Sequence, residues 1–401
     1  MSGAQPVVDF MRRSGWQFVA RGRPIRFAGT NCYCQMIHRR TGHTGADDVL
    51  DAMAARGMNL LRTWAFQDCA ERPGDCLLGA PAERLPAGKE PVDYVCEETL
   101  VALDRTIAAA AARGIYVVLT LVNNWDDFGG MNRWTLWRFG RGDHDAFFTD
   151  PTIRCWYKSL ANLLVGRVNT VTGRAYRDEP AILTWQLANE ARLARGGADG
   201  TAIDAWIAEM AEHIKGIDPN HMVSTGIEGF YGGSHADRNP DGWMGRCGTD
   251  FIDNHRHDAI DFATCHVWPQ NWGWDPIGRP AAAMQKASRF VLCRIYDAQD
   301  ALGKPLLLEE FGIPRDNAGR GPGGPTTIRD RFFAEAFLGP GEDSARNDGA
   351  FGGSAVWSIF DDATADWDDG NGIFLPQDAS TDALLTAHAR RMTQGSAPPV
   401  A

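Results

Sequence analysis

Eight short apolar segments, spread along the whole chain, are the feature that most limits its possible folds. Each is rich in branched side chains and apolar on both faces, a pattern typical of buried parallel strands. The segments are residues 25–31, 59–64, 116–123, 181–190, 221–229, 261–268, 306–312 and 354–360. Helix-like segments follow nearly all of them. Eight strand–helix units in 401 residues predict an α/β fold, a (β/α)8 TIM barrel with long loops.

The predicted helices show the 3.6-residue apolar period of a helix with one buried face. They cover residues 47–57, 99–114, 203–218, 284–304, 330–338 and 382–392. The first two end at Gly57 and Gly114, and glycine is the usual residue at a helix end. The helix expected around 247–256 has the weakest pattern. An open, doubly wound sheet is the alternative architecture, but no glycine-rich phosphate loop follows the first strand.

The residues before the first strand are predicted to form a β-hairpin. Segment 15–27 turns at Arg21–Gly22, and we expect this hairpin to cap the barrel floor. No repeat, low-complexity linker or second core is visible. The Gly/Pro-rich segment 315–327 is too short to be a domain linker. Residues 1–401 are therefore predicted to form a single (β/α)8 barrel domain.

Charge and hydropathy restrict the partners. The net charge of −11 argues against a nucleic-acid partner, which requires a basic face. No run of uncharged apolar residues is long enough for a membrane span, so none is expected. The first ten residues contain no signal-peptide apolar core. We expect a cytoplasmic protein, or a secreted or periplasmic one if a leader has been removed. No feature indicates a protein partner.

The cysteines and acidic residues do not predict a metal site. The spacings of the nine cysteines match no zinc-binding pattern. A disulfide between Cys69 and Cys76 is one possible pairing. Asp126 and Asp127 are expected to cap a loop, because no third oxygen donor is clustered with them. Neither a metal nor an organic cofactor is therefore expected.

Two glutamates stand at the C-terminal ends of predicted strands, where function gathers in such barrels. Glu190 ends the fourth strand and Glu310 the seventh, so both are expected to point into one bowl. Paired carboxyl groups suit glycoside hydrolysis, in which one protonates the departing oxygen while the other attacks or activates water. Arg62 is placed to keep the nucleophile ionised. Asn189 is placed to bind a sugar hydroxyl.

Tryptophan supplies the expected sugar-binding surface. Fourteen tryptophans are a high count, and pyranose faces stack on flat indole rings. The further candidates for substrate binding are Trp64, Asn124, Trp125, His266, Trp268 and Trp357. Five tryptophans are expected in loops above the barrel, with two or three of them touching sugar: Trp125, Trp134, Trp137, Trp272 and Trp274. Successive strand residues face opposite sides, so Glu309 and Glu310 are not both expected to point inward. The place of Glu310 in the motif "LEEFG" selects it as the inward residue, and Glu309 is expected to have a structural role.

Two strand-tip motifs resemble the signatures of glycoside hydrolase family 5. They are "LANEAR" (187–192) and "LEEFG" (308–312). The chain is most similar to the endo-β-1,4-mannanase branch of that family, on the stretches "FAGTN", "LLRTWAF", "LVNNWDDFGG", "FFTDP", "IEGFYG" and "HVWPQNWGW". The resemblance spans about 15–360. It implies a two-glutamate retaining mechanism, with β-mannan, glucomannan or manno-oligosaccharides as substrates.

The resemblance also implies individual roles. Glu190 corresponds to the acid/base and Glu310 to the nucleophile. The supporting residues of the sugar subsite at the cleaved bond would be Arg62, Asn189, His266 and Trp357. Two positions depart from the family pattern. Ala191 replaces the usual proline after the acid/base, and Trp268 replaces a tyrosine that bonds to the nucleophile.

Other functions remain as alternatives. An exo-acting β-mannosidase would keep the same chemistry but cleave from the chain end. A β-1,4-glucanase would keep the same chemistry but act on a different sugar. A non-catalytic carbohydrate-binding barrel would be expected to have lost a glutamate, whereas this chain keeps both Glu190 and Glu310. An aldolase-type barrel would need a lysine at a strand tip for Schiff-base chemistry, and none stands there.

Overall fold

Eight parallel strands surround a single interior in the computed structural model of the chain. The structure describes residues 7, 9–42, 45–69, 76–81, 83–196, 199–360 and 368–393. A small antiparallel sheet comes first: β1 (Arg12–Ser14), β2 (Gln17–Ala20) and β3 (Arg23–Ile25). The barrel strands are β4 (Phe27–Asn31), β5 (Leu60–Trp64), β6 (Tyr116–Thr120), β7 (Ile182–Gln186), β8 (Met222–Ser224), β9 (Ala263–Val267), β10 (Leu306–Phe311) and β11 (Phe351–Val356). A short parallel pair, β12 (Ile359–Phe360) and β13 (Ile373–Phe374), follows.

The strand order confirms the TIM barrel. Neighbouring strands pair in the order β8-β7-β6-β5-β4-β11-β10-β9, and all of these pairs are parallel. A parallel bridge between Ser224 and Phe262 joins the two ends of the sheet. Because every barrel strand runs the same way, all the C-terminal ends open at one end of the barrel.

Helices connect the strands outside the barrel. They are α1 (Gln35–Thr41), α2 (Gly45–Ala55), α3 (Glu97–Ala112), α4 (Gly130–Phe139), α5 (Ala146–Thr149), α6 (Pro151–Gly166), α7 (Thr201–Ile217), α8 (Phe251–Arg256), α9 (Pro280–Asp297), α10 (Thr327–Arg331), α11 (Gly339–Arg346) and α12 (Ala379–Thr393). The helix expected around 247–256 is the short α8. Segment 330–338 is largely a π-helix, Phe332–Leu338. Among the described residues, no helix has both the length and the hydropathy needed to cross a membrane.

The N-terminal hairpin closes the barrel floor as predicted. β2 and β3 pair antiparallel and turn between Ala20 and Arg23. From β2, Phe18 enters the barrel and meets the rings of Phe27 and Phe262, each with a centroid distance of 5.2 Å. The apolar layer around it consists of Met11, Phe27, Leu60, Val118, Leu183, Met222, Phe262, Leu307 and Ala355. This apolar floor leaves the opposite, C-terminal end for polar side chains.

The one disulfide among the described residues lies beside the C-terminal end of β5. It joins Cys69 and Cys76, the pairing that the spacing allowed. The main chain of this segment also pairs with itself, because the Cys69 N–H donates to the Leu78 carbonyl at 3.2 Å. The cross-link therefore joins two positions that are close in the chain, seven residues apart, rather than two distant elements.

Candidate active site

Four charged side chains from different strands meet at the C-terminal end of the barrel. Arg62 lies in β5, His266 in β9 and Glu310 in β10, and Glu190 lies just beyond β7. All four are buried. An oxygen of Glu190 lies within 4.8 Å of an oxygen of Glu310. The structure thus brings together the two carboxyl groups that the sequence placed at separate strand tips.

Glu310 is held by hydrogen-bond donors on both of its oxygens. The Arg62 guanidinium donates to Oε1 in a short contact. The Trp268 indole N–H donates to Oε2 at 3.0 Å. Both donors favour the ionised carboxylate and fix its orientation. Trp268 therefore supplies a donor at the position where the family usually has a tyrosine.

Glu190 has a separate set of partners. His266 Nδ1 lies 2.8 Å from Oε1, and the Trp125 indole N–H donates to Oε2 at 2.7 Å. The backbone of Glu190 has φ of +54°, a left-handed conformation that is costly for a residue with a side chain. Its N–H donates to the Gly226 carbonyl at 2.8 Å. Gly226, just after the neighbouring strand β8, thus holds the strained turn that directs Glu190 into the open C-terminal end of the barrel.

Arg62 is fixed by acceptors in addition to Glu310. Its Nη1 donates to Asn31 Oδ1 at 3.0 Å and its Nη2 donates to Asn189 Oδ1 at 2.7 Å. Its Nε donates to Gln186 Oε1 at 2.8 Å. The guanidinium is therefore the central donor of the site, and it positions Asn189 as well as Glu310.

Glu309 points into the barrel as well, so the expectation that only Glu310 does so is wrong. The pairing of β10 with β9 shifts register between Leu308 and Glu310. Such a bulge lets successive residues share a face. The Gln186 side-chain amide donates to both oxygens of Glu309 at 2.7 Å. Glu309 is fully buried in this network, where it has the structural contacts that were expected of it.

The electrostatics of the site depend on His266. Burial alone would lower the pKa of His266, but the charge of Glu310 and the contacts with Glu190 and Glu309 raise that pKa to about 10. Burial would raise the pKa of Glu190. The hydrogen bond and charge of His266, with the Arg192 charge, instead lower it to about 2. Burial and the Glu190 charge raise the pKa of Glu310 above its ordinary value, against the charges of His266 and Arg62.

Among the tryptophans that the structure describes, Trp125 is the most exposed residue, at 41%. Trp357 is half-buried, stacks on Tyr33 at 4.9 Å and donates to Asp369 at 2.9 Å. Trp64 is buried beneath the Arg62 guanidinium, 4.9 Å from its ring centroid. Exposed ring surface beside the carboxyl groups is therefore offered by Trp125, which donates to Glu190, and by Trp357, which packs against Trp268 at 5.7 Å.

Four tryptophans expected in open loops are buried. Trp134 and Trp137 lie in α4 and are fully enclosed, so the prediction that loops carry them above the barrel is wrong. Trp272 and Trp274 do follow β9 but pack against each other, with a centroid distance of 5.0 Å. Of the five loop candidates, Trp125 alone keeps a largely open face.

Comparison with known proteins decides the family. The family model described as GH family 5 beta-mannosidase-like matches residues 8–368. The chain belongs to glycoside hydrolase family 5. It is 36% identical over 397 residues to mannan endo-1,4-beta-mannosidase 1 of Oryza sativa subsp. japonica, a match that covers 96% of this chain and 86% of the relative.

Solved structures of this family have the same fold. The endo-beta-1,4-mannanase from Thermotoga petrophila superposes with a TM-score of 0.75 at 30% identity, over 94% of this chain and 78% of that one. The endo-1,4-beta-mannanase from Rhizomucor miehei gives a TM-score of 0.77 at 27% identity, over 96% and 99%. The retaining two-glutamate chemistry of family 5 glycoside hydrolases is therefore the chemistry of this barrel.

Two charged residues of this family 5 site were not singled out from the sequence. Arg192 donates to Glu228 through both Nε and Nη2 in short contacts. Its guanidinium lies 5.1 Å from the Trp125 ring centroid. Burial, then the Glu190 charge, raises the pKa of Glu228 to about 7. The signal was present, because Arg192 stands in "LANEAR" and Glu228 in "IEGFYG".

Asn124 lies at the same turn. Its side-chain oxygen accepts from the Arg192 N–H at 2.9 Å, and its own N–H donates to the Asn189 carbonyl at 3.0 Å. Only 5% of Asn124 is exposed. Its contacts therefore orient the segment that carries Glu190.

A group away from the barrel mouth also has donor atoms close enough to share an ion: His235, Asp250 and Asp253. Local structure accounts for it, because Asp250 caps α8 by accepting from the Ile252 and Asp253 N–H groups. At the barrel mouth, Glu190, His266 and Glu310 are engaged with each other. These contacts describe an acid–base site without assigning a metal.

Proposed function

We propose that the protein cleaves internal β-1,4-mannosidic bonds of mannan-type polysaccharides with retention of configuration. The observation that carries retention is the separation of the carboxyl groups, whose nearest oxygens lie within 4.8 Å. Retaining glycosidases hold their two carboxyl groups about 5–5.5 Å apart, and inverting ones about 6.5–9.5 Å apart to admit a water. The short separation supports direct attack by a carboxylate.

In the first step, Glu310 attacks the anomeric carbon and Glu190 gives a proton to the departing glycosidic oxygen. The C–O bond to the leaving sugar breaks as the glycosyl–Glu310 ester forms. In the second step, Glu190 takes a proton from water, the water oxygen attacks the anomeric carbon, and Glu310 leaves as a carboxylate. The donors Arg62 and Trp268 hold Glu310 in place in both steps.

The surrounding side chains are proposed to bind the sugar at the cleaved bond. Asn189 lies between Arg62 and Asn123, with contacts of 2.7 and 3.0 Å, so its amide has one fixed orientation. The part of the Trp357 ring that remains exposed is the proposed stacking surface. The open face of Trp125, beside Glu190, is the proposed stacking surface for a neighbouring sugar. A site that is fixed before substrate arrives lowers the cost of orienting the reacting bond.

The proposed substrates are β-mannan, glucomannan and manno-oligosaccharides. The support comes from relatives that are named mannan endo-1,4-beta-mannosidases and are 32–38% identical to this chain. Neighbouring solved structures carry the name endo-mannanase. Mannan, glucomannan and cellulose assayed side by side test this assignment, and we expect the first two to be hydrolysed.

A product time course tests endo action. Because remote sugars contribute binding energy that positions the reacting bond, mannohexaose should be cleaved much faster than mannobiose. We expect early release of a mixture of mannobiose, mannotriose and mannotetraose. Chromatography of samples taken over time measures these products. Mannose as the sole early product would identify an exo-acting enzyme. Hydrolysis of cellohexaose but not of mannohexaose would make the sugar assignment wrong.

A further inference from the structure

A third carboxylate lies beneath the two that face the substrate. Glu309 is fully buried, and its oxygens accept from the Gln186 amide rather than from a group in the bowl. The nearest positive groups are His266, whose Nε2 lies 3.6 Å from Glu309 Oε2, and Arg62, whose Nε lies 3.9 Å from the same oxygen. The reaction steps proposed above assign no role to this charge.

The His266 ring has a carboxylate at each nitrogen. Nδ1 lies 2.8 Å from Glu190 and 3.5 Å from Glu310, while Nε2 faces Glu309. A neutral imidazole carries one N–H, so its other nitrogen would direct a lone pair at a carboxylate. The ring is fully buried, and no water shell offsets such a contact. The geometry therefore suits an imidazolium, whose Nδ1–H donates to Glu190 and whose Nε2–H faces Glu309 at an ion-pair distance of 3.6 Å, longer than a hydrogen bond.

The charge balance of the site agrees with this protonation state. Two guanidinium groups are opposed by four carboxyl groups within the charged cluster. Its members are Arg62, Arg192, Glu190, Glu228, Glu309 and Glu310. Without further protons the cluster would bury an excess of negative charge, which is costly. The proton on His266 reduces that excess, and the raised pKa of His266 is consistent with it.

We propose that Glu309 is a positioning residue whose buried charge keeps the catalytic proton on the His266–Glu190 pair. The inference rests on the acid/base role of Glu190 proposed above. In the resting site the pair holds this proton on His266 Nδ1, and the proton moves along the single hydrogen bond to Glu190 Oε1 as the leaving oxygen is protonated. When Glu190 gives this proton to the leaving oxygen, His266 is left neutral. The proton from water restores the pair in the second step.

The pair titrates as a unit, and loss of its proton sets the alkaline limit of activity. Glu309→Gln keeps the shape and one of the two oxygens that accept from the Gln186 amide, but it removes the charge. An opposite charge at this range shifts a pKa by about 1–3 units. We therefore expect the His266 pKa, followed by histidine-selective nitrogen NMR, and the alkaline limb of kcat/KM to fall together by about 1–3 pH units. The resonance is assigned by its loss in His266→Gln.

Two further variants separate charge from packing. Glu309→Asp keeps the charge and should keep the alkaline limb near its original pH. Glu179→Gln is the matched control, because Glu179 is a buried glutamate paired with Arg174 before the start of β7. It should leave both the His266 titration and the pH profile unchanged.

The NMR titration needs no substrate, so it tests this inference separately from the proposed function. A wild-type protein with an imidazolium at pH 8 but no activity on mannan would contradict the proposed function and leave the proton assignment standing. A neutral His266 in the wild type at pH 8 would overturn the inference even if no variant folds. An active Glu309→Gln variant with an unshifted alkaline limb would overturn it as well.

Discussion

Replacing Trp268 by phenylalanine removes the indole N–H that donates to Glu310 at 3.0 Å. A hydrogen bond to a charged group contributes about 1.5–3 kcal/mol, and one pKa unit corresponds to about 1.4 kcal/mol. Losing the donor should therefore raise the pKa of Glu310 by about 1–2 units. Burial already raises this pKa. Attack requires the ionised carboxylate. On acidification, the variant should therefore lose activity at a higher pH than the wild type does.

The assay is the pH dependence of kcat/KM on mannohexaose, which reports groups of the free enzyme. We expect the acid limb of Trp268→Phe to lie about 1–2 pH units above that of the wild type. Trp268→Tyr retains an O–H donor and should recover part of the shift. Trp272→Phe is the matched control, because Trp272 is similarly buried but packs against Phe230 and Phe290.

Two results would refute this reasoning. One is a Trp268→Phe enzyme whose kcat falls equally at every pH, which would mean that the ring acts by packing alone. The other is an equal shift of the acid limb in Trp272→Phe, which would mean that any loss of ring volume near β9 perturbs Glu310. Either result would mean that the indole donor of Trp268 does not set the pKa of Glu310.

Further variants test the paired glutamates and the barrel floor. Glu190→Ala and Glu310→Ala should each lose several orders of magnitude in turnover while remaining folded by circular dichroism, since a general acid alone contributes about 10²–10⁴-fold; more than about a tenth of the activity in either would contradict that residue's role. With azide and a substrate that has a good leaving group, the Glu190 variant should give the glycosyl azide of retained configuration and the Glu310 variant the inverted one; the opposite pairing would exchange the two roles. Phe18→Ala should lower the free energy of unfolding by about 3–5 kcal/mol in denaturant titrations, with KM unchanged because Phe18 lies at the floor; an unchanged stability would contradict its place in the core.

The strands of the barrel were predictable from the sequence because each is buried on both faces. All eight predicted segments contain the observed strand or overlap it, from Phe27–Asn31 to Phe351–Val356. The hairpin and its turn at Arg21–Gly22 were also found, since the two residues adopt φ of +50° and +71°. Local patterning and turn chemistry agree with the fold at these places.

The connection between β6 and β7 was not predictable in the same way. It contains α4, α5 and α6, whereas the sequence suggested loops. Apolar and charged residues are mixed around α4, as "GMNRWTLWRF" shows, so its helical period is weak. Trp134 is buried there by packing against Phe147 and Tyr157, and Trp137 packs against Trp134, which only the tertiary structure reveals.

The sequence predicted which side chains meet at the barrel mouth better than it predicted the contacts between them. Strand-tip placement was enough to pair Glu190 with Glu310, because parallel strands end at one face. The direction of Glu309 depends on a register shift between β9 and β10, and a register shift leaves no pattern in one sequence. The Arg192–Glu228 pair joins two turns that are distant in the chain, so it required the fold.

The left-handed backbone of Glu190 has a consequence for anyone who wants a substrate-trapping variant. A side chain in this conformation costs about 1–2 kcal/mol, and the wild type bears this cost at the residue that we propose as its acid. Alanine at position 190 would keep that cost and lose the chemistry, whereas glycine adopts a φ of +54° without it. An inactive Glu190→Gly protein should therefore melt at a higher temperature than Glu190→Ala. The higher melting temperature would measure the folding stability that the left-handed backbone costs at the proposed acid.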